Sequence, residues 1–453
     1  MSSFFFRNLK RTYPVISEGK GVWLVDTEKK RYLDGCSGAV VSNIGHGVLE
    51  IKEAITEQLD QIAFAHTSQF VSAVGLNLAD KLIELAPANF KNGGRAYFVS
   101  GGSEAVETAL KMARSYFYEK GELSRRLTIS RWNSYHGSTR GALTATGHPA
   151  RRKPYLPLLA EEPHISPVYP YRCSCGSSQT CQSPQCTLGL ADELECAILA
   201  AGPENVMAFI AEPVVGAAIG AASPGPEYWP RIRQICTKYN VLLIADEVMT
   251  GLGRVGTTFG CDLFNVQPDI IALGKGLSAG YMPLGAVLAS ANVVEAFLNG
   301  SGAFEHGFTY SAHPVACAAG VAVLNYMQAN SLIERVWQRQ AEFFASLEKL
   351  KELDFVGDIR GKGFLGGIEL VQNRATKTPF DPSIRIGQKV ASEAQRLGLL
   401  IYPGAGSIDG TLGDHLIIAP PFNISNDEMS ELFARLKQAL INVQNSVSAA
   451  AKS

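Results

Sequence analysis

The sequence predicts an α/β protein: a large domain on a mainly parallel central sheet, followed by a smaller α+β domain. Three observations carry that prediction. First, "VMAFIAEPV" (Val206 to Val214), "VLLIADEVMTGLGR" (Val241 to Arg254) and "DIIALGKGL" (Asp269 to Leu277) each contain a short, wholly apolar run, as expected of a strand covered on both faces. Second, "RAYFVSGGSEAVETALKMARSYF" passes from an apolar strand (Tyr97 to Val99) through Ser100, Gly101 and Gly102 into a helix from Ser103. Strands alternating with helices favour a parallel sheet. Third, the texture changes near Ser331. An amphipathic stretch, "SLIERVWQRQAEFFASLEKLKE", gives way to the alternating, Gly-punctuated "DFVGDIRGKGFLGGIEL", which suits a few antiparallel strands.

In chain order, residues 1–60 are expected to pack with the small domain, and their "GVWLVDTEKKRYLDG" reads as a hairpin turning over Asp26 to Lys30. Residues 61–330 form the large domain and residues 331–453 the small one. In such sheets, polar groups at the carboxyl ends of strands line a ligand crevice. Here those groups are Glu212, Asp246 and Lys275, joined by the Gly-rich helix start at Gly102 and Ser103.

At 453 residues the chain can bury a sizeable core, and 41 Lys+Arg against 42 Asp+Glu leave a formal charge of -1. With no basic block, nucleic acid and anionic membranes are not expected partners. No apolar run approaches the roughly 18 residues that would span a bilayer. The start, "MSSFFFRNLKRTYP", lacks a signal-peptide core, although it is poor in acid and compatible with an organellar presequence. An odd count of nine cysteines suggests reduced thiols in a cytoplasmic setting.

Five of those cysteines crowd into "RCSCGSSQTCQSPQCTLGLADELEC": Cys173, Cys175, Cys181, Cys186 and Cys196. The density resembles a zinc site, but Cys173 and Cys175 are one residue apart, closer than the usual knuckle spacing. No metal is therefore expected, and the stretch reads as a Ser/Gly/Pro/Gln-rich surface excursion.

A lysine nucleophile needs its ammonium pKa lowered, which an apolar pocket or a nearby cation achieves. Lys275 follows an apolar strand, and its flanking glycines would let another molecule approach closely. Taken alone it is a turn residue. Asp246, at the end of "LLIAD", is a carboxylate at a largely buried position; it needs either an arginine or a protonated ring nitrogen as partner. The "SGGSEAVE" turn offers backbone N–H groups and the Ser103 hydroxyl to a phosphate, or else a plain serine cap to its helix. An activated lysine, a buried carboxylate and a phosphate cradle together match the aldehyde, ring nitrogen and phosphate of pyridoxal 5'-phosphate. A P-loop reading fails, because Gly276 stands where Ser or Thr is required and the order of the acidic strand and the Gly-Lys is reversed.

The stretches "LLIADEVMTGLGRVGTTF" and "PDIIALGKGLSAGYMPLGAV" resemble the signature of the class III aminotransferases, fold type I enzymes dependent on pyridoxal phosphate. The resemblance runs from "FFRNLKRTYP" and "YLDG" to "IIAPPFNIS". It implies that Lys275 forms the Schiff base and carries the proton, that Asp246 pairs with the pyridinium nitrogen, and that Gly102 and Ser103 hold the phosphate. Tyr135 would stack on one face of the ring and Val248 on the other, with Glu212 near the phenolic oxygen or the substrate. Thr309, in "HGFTYSAHP", would reach the phosphate in the neighbouring subunit, so the resemblance also implies a homodimer with active sites at its interface. The implied reaction is ping-pong transfer of an amino group from a primary amine or ω-amino donor to a keto or aldehyde acceptor such as pyruvate. Isomerisation or decarboxylation with the same cofactor, or a binding protein without catalysis, are the alternatives.

The sequence departs from the family pattern where many members hold a substrate carboxylate with arginine. In "GSIDGTLGDHLIIAPP" the matching positions are Gly410 and Ile417, and the nearby His415 reads as structural. The donor then lacks a carboxylate near its amine, or Arg140, Arg151 or Arg152 serves instead. Val48 replaces a common proline after His46, and small residues from Cys36 to Ala39 leave room for a larger donor.

Overall fold

An apolar strand without alternation is stable only when helices cover both of its faces, and the computed structural model of the chain supplies them. It describes residues 3–175 and 180–450. The ends of the expected N-terminal and small-domain segments, 1–2 and 451–453, and residues 176–179 of the cysteine-rich stretch lie outside the described residues.

The chain opens with antiparallel strands β1 (Ile16–Lys20), β2 (Trp23–Asp26) and β3 (Arg31–Asp34). The β2–β3 hairpin turns where expected: Asp26 accepts the N–H groups of Glu28 and Lys30, each at 2.9 Å, while Lys29 takes a positive φ of 65°.

The large sheet comprises β4 (Arg95–Val99), β5 (Leu127–Arg131), β6 (His164–Ile165), β7 (Val206–Ala211), β8 (Leu242–Asp246), β9 (Ile270–Leu273) and β10 (Gly285–Ala289), in the spatial order β4-β10-β9-β8-β7-β5-β6. Only β10 runs against its neighbours, pairing antiparallel with both β9 and β4. The buried strands divide their side chains between two cores. In β8, Leu242 and Ile244 join the core beneath helix Gly102–Glu119, whereas Leu243 faces helices Pro184–Ala201 and Tyr228–Lys238. In β9, Ile270 and Ala272 share the first of these cores, while Ile271 and Leu273 enter a third, which helix Pro314–Ala329 lines.

A second antiparallel sheet takes β11 (Val356–Lys362), β12 (Leu365–Leu370), β14 (Tyr402–Ala405) and β15 (Asp414–Ile418) in the order β11-β12-β15-β14, while β13 (Leu399–Leu400) pairs in parallel with β3. The N-terminal strands are thus tied by backbone bonds to the last third of the chain. Arg254 fastens the same region to the large sheet. Fully buried, it donates to Phe364 O (3.0 Å), Pro420 O (2.7 Å), Ser37 Oγ (3.1 Å) and Asn43 Oδ1 (2.7 Å).

The spacing argument against a cysteine cluster does not survive folding. The N–H groups of Cys173 and Cys181 both donate to the carbonyl of Pro170, at 3.3 and 2.9 Å, which folds the excursion back on itself. Among the described residues no helix is long and apolar enough to cross a membrane.

Candidate active site

β7, β8 and β9 are adjacent parallel strands, so their carboxyl ends lie side by side and deliver Glu212, Asp246 and Lys275 to one place. The helix starting at Gly102 approaches from the neighbouring edge. A cavity of about 190 Å³ is lined by Gly102, Ser103, Tyr135, Glu212, Asp246, Val248 and Lys275, all expected from the sequence. Thr309 lies apart from it: exposed, on the loop after Phe308, it does not line the cavity of its own chain.

Lys275 takes a φ of 43°, a left-handed conformation that costs an L-residue about 1–2 kcal/mol, and it begins a single 3-10 turn. Burial pulls its ammonium down to about 8; Asp246 and Glu212 oppose that shift and the charge of Arg151 adds to it. Its flanking glycines serve the chain itself rather than a visiting molecule. A Cβ on Gly274 would stand 3.2 Å from the backbone of Gly102, and one on Gly276 would stand 2.3 Å from Asn43 Nδ2.

Asp246 is buried, and among the described residues no arginine pairs with it. Its Oδ1 accepts the Val248 N–H at 3.1 Å, and its Oδ2 accepts His136 Nδ1–H at 2.7 Å. His136 therefore holds the carboxylate, a role the sequence did not reveal. The only available signal was its place in "SYHGST" beside Tyr135. The Nε2 of His136 is buried without a hydrogen-bond partner.

Ser103 is not the helix cap. Gly101 occupies that position, Glu104 Oε2 accepts the Ser100 N–H at 2.8 Å, and Ser103 Oγ accepts the Ser138 N–H at 3.0 Å. The turn around it is stripped to backbone: a Cβ on Gly102 would come 2.6 Å from Val248 Cγ1, and one on Gly137 2.7 Å from Ser103 Oγ. Backbone N–H groups at the start of an 18-residue helix then face the cavity, a setting that favours an anion. Glu212 Oε1 accepts the Tyr135 N–H at 3.4 Å, its buried Oε2 makes no hydrogen bond but lies 3.8 Å from Arg131 Nη2, and burial pushes its carboxyl up. Gly216, Ala217 and Met249 complete the wall, and nothing local in the sequence marked them.

Of the three candidate arginines, Arg152 is buried and spends its guanidinium on the carbonyls of Thr144 and Thr146 and on His164 Nε2. Arg140 bonds the Leu158 carbonyl. Arg151 instead stacks over the cavity-lining Tyr135, 4.3 Å from the ring centroid, without lining the cavity itself. Ile417 is fully buried among Val40, Val214, Val255 and Leu365, and a Cβ on Gly410 would meet Pro149 at 2.7 Å. Burial brings His415 down to about 3, so it is neutral and cannot bind an anion by charge.

The model of the family described as "Aminotransferase class-III" matches residues 5–440. An uncharacterized aminotransferase of Bacillus subtilis, YodT, is 41% identical over 99% of this chain and 99% of its own. A putrescine–pyruvate aminotransferase of Pseudomonas aeruginosa is 34% identical over 94% of this chain and 90% of its own. The crystal structure of an amine transaminase from an uncultivated Pseudomonas species, in its PLP-bound form, superposes with a TM-score of 0.91 at 35% identity, covering 98% of this chain and 99% of that one.

Proposed function

The chain belongs to the class III aminotransferases, fold type I enzymes that move amino groups with pyridoxal phosphate, and from that premise we propose how its own residues hold the cofactor and choose the substrates. The observation that carries the proposal is the meeting of Lys275, Asp246 and the Gly102–Ser103 turn in one cavity. The cavity suits the cofactor, because its wall includes a buried ring nitrogen, His136 Nε2, without a hydrogen-bond partner among the described residues, and a helix start at Gly102 stripped to backbone.

When bound, pyridoxal phosphate supplies a carbonyl that captures amines and a ring that accepts the electrons left when a neighbouring carbon loses its proton. Lys275, as a neutral amine, would hold the cofactor through its carbonyl and serve as the group that takes up and returns a proton. Asp246, its carboxylate held by His136, would accept the ring N–H. The backbone N–H groups of Gly102 and Ser103 would hold the phosphate, Tyr135 and Val248 would flank the ring, and Glu212 would stand near the phenolic oxygen or the substrate.

Thr309 acts in the neighbouring subunit of a homodimer. In support, exposed apolar groups gather beside it: Phe64 stacks edge-on to Tyr310, with centroids 6.0 Å apart, and Tyr310 is 61% exposed. The donor is a primary amine or ω-amino compound, and the acceptor is an oxo acid such as pyruvate. With Gly410 and Ile417 unable to bind an anion, Arg151, which stacks on the cavity-lining Tyr135 and whose charge reaches Lys275, receives the acceptor's carboxylate. We place the enzyme in the cytoplasm, where cysteines such as Cys236 and Cys317, whose thiols burial pushes up to about 12, stay reduced.

A spectroscopic cycle tests the function. A donor amine should convert the bound cofactor to its amine form, and pyruvate should restore it. Lys275→Ala should cut turnover by about 10⁴-fold or more while leaving the circular dichroism unchanged. Amine transfer retained by that variant would sink the assignment.

A further inference from the structure

Away from the amino-transfer cavity, four cysteines converge. The Sγ atoms of Cys173, Cys175, Cys181 and Cys186 all lie within 4.8 Å of one another. The backbone builds this meeting: Cys173 and Cys181 are hung from the same Pro170 carbonyl. Cys186 sits in the first turn of helix Pro184–Ala201, where its N–H donates to the Ser183 Oγ cap at 3.5 Å.

We propose that Cys173, Cys175, Cys181 and Cys186 form a tetrathiolate site that holds one structural zinc ion per chain. Tetrahedral zinc with Zn–S bonds of about 2.3 Å separates its sulfurs by about 3.8 Å, so the thiols need to contract by no more than about an ångström. All four donors are sulfur, which selects zinc over the hard cations that take oxygen ligands. Four protein ligands also leave no open position, so the ion is structural rather than catalytic. A cavity of about 470 Å³, lined by all four cysteines together with Tyr169 and Asn133, gives the ion a path of entry. Binding exchanges four thiol protons for one Zn²⁺ and leaves a complex of charge -2, with no change of oxidation state.

The ion would staple a long connection that leaves the large sheet after β6 and docks on the second sheet. Arg172 Nε and Nη2 reach Glu369 Oε1, each at 3.1 Å, Tyr169 OH donates to Glu369 Oε2 at 2.6 Å, and Thr180 Oγ1 donates to Asp358 Oδ1 at 3.1 Å. Long connections are uncommon unless something ties them down. A metal knot at Cys173–Cys186 does so beside these contacts.

The test uses the full-length, cofactor-loaded protein. After incubation with zinc and removal of the excess, elemental analysis should find about one zinc per chain, and the four thiols should resist a thiol-reactive dye until a chelator is added. Cobalt(II) loading should give sulfur-to-metal charge transfer together with the strong visible bands of a tetrahedral ion. This spectrum needs no variant and so does not depend on one folding. Cys181→Ser and Cys186→Ser should lose the stoichiometric metal and lower the melting temperature. Cys196→Ser, an exposed cysteine outside the cluster, should retain both. Four promptly reactive thiols without metal after zinc loading would overturn the proposal. So would two disulfides, seen as a mass about 4 Da below the reduced chain, or stoichiometric iron in place of zinc.

Discussion

The left-handed, partly buried Lys275 sets a measurable pH profile for cofactor capture. Its ammonium is brought from 10.5 to about 8. At pH 7 about a tenth of the lysine is then the neutral nucleophile, against about 0.03% for an unperturbed side chain, a gain of about 300-fold. Apo-protein is mixed with pyridoxal phosphate in stopped flow, and covalent capture is followed by absorbance between pH 6 and 10. A simple alkylamine is run in parallel so that the cofactor's own ionisations divide out. After correction for the alkylamine's ionisation, the rate should rise tenfold per pH unit up to about 8 and then level off. Because the Arg151 charge lowers this value and the Asp246 charge raises it, Arg151→Leu should move the break upward and Asp246→Asn downward. A rate that climbs without a break to pH 10 would refute the claim that burial activates Lys275.

His136→Ala removes a charge-assisted hydrogen bond worth about 1.5–3 kcal/mol and should weaken cofactor affinity by roughly ten- to a hundredfold, read by equilibrium dialysis. Arg151→Ala should raise KM for pyruvate about tenfold or more while changing KM for the amine donor little; equal effects on both would remove Arg151 from carboxylate binding. Arg254→Met leaves four buried acceptors without their donor and should cost about 3 kcal/mol or more, seen as a lower midpoint in thermal unfolding.

The parts of the fold that were legible in the sequence are those whose cause is local. The apolar runs ending at Asp246 and Lys275 announce covered strands, and a charged residue closing such a run has to face either a ligand or a partner. Long-range partnership leaves no such mark. His136 lies 110 positions before Asp246, and nothing near either residue records that they bond. Gly274 and Gly276 were legible as special, but for the wrong reason, since Gly102 and Asn43 are what crowd them. The cysteines were judged on spacing alone, which ignores the turn that gathers them on the Pro170 carbonyl. Ser103 read as either a phosphate ligand or a plain cap, and the second alternative falls because Gly101 takes that place while the hydroxyl accepts the Ser138 N–H.

The carboxylate of Glu369 limits how this enzyme can adapt to substrates of different size. It is fully buried and takes Arg172 and Tyr169 from the connection after β6, while Arg360 on β11 donates to the same Oε2 at 2.7 Å. A rigid swing of the second sheet against the first would strip several charge-assisted bonds at about 1.5–3 kcal/mol each. Opening is therefore left to shorter pieces, above all the 406–413 loop, whose Gly410 abuts Pro149 two residues before Arg151. Variants selected for bulkier amines should accumulate changes in that loop and in residues 149–151, and leave Glu369 and its three partners untouched.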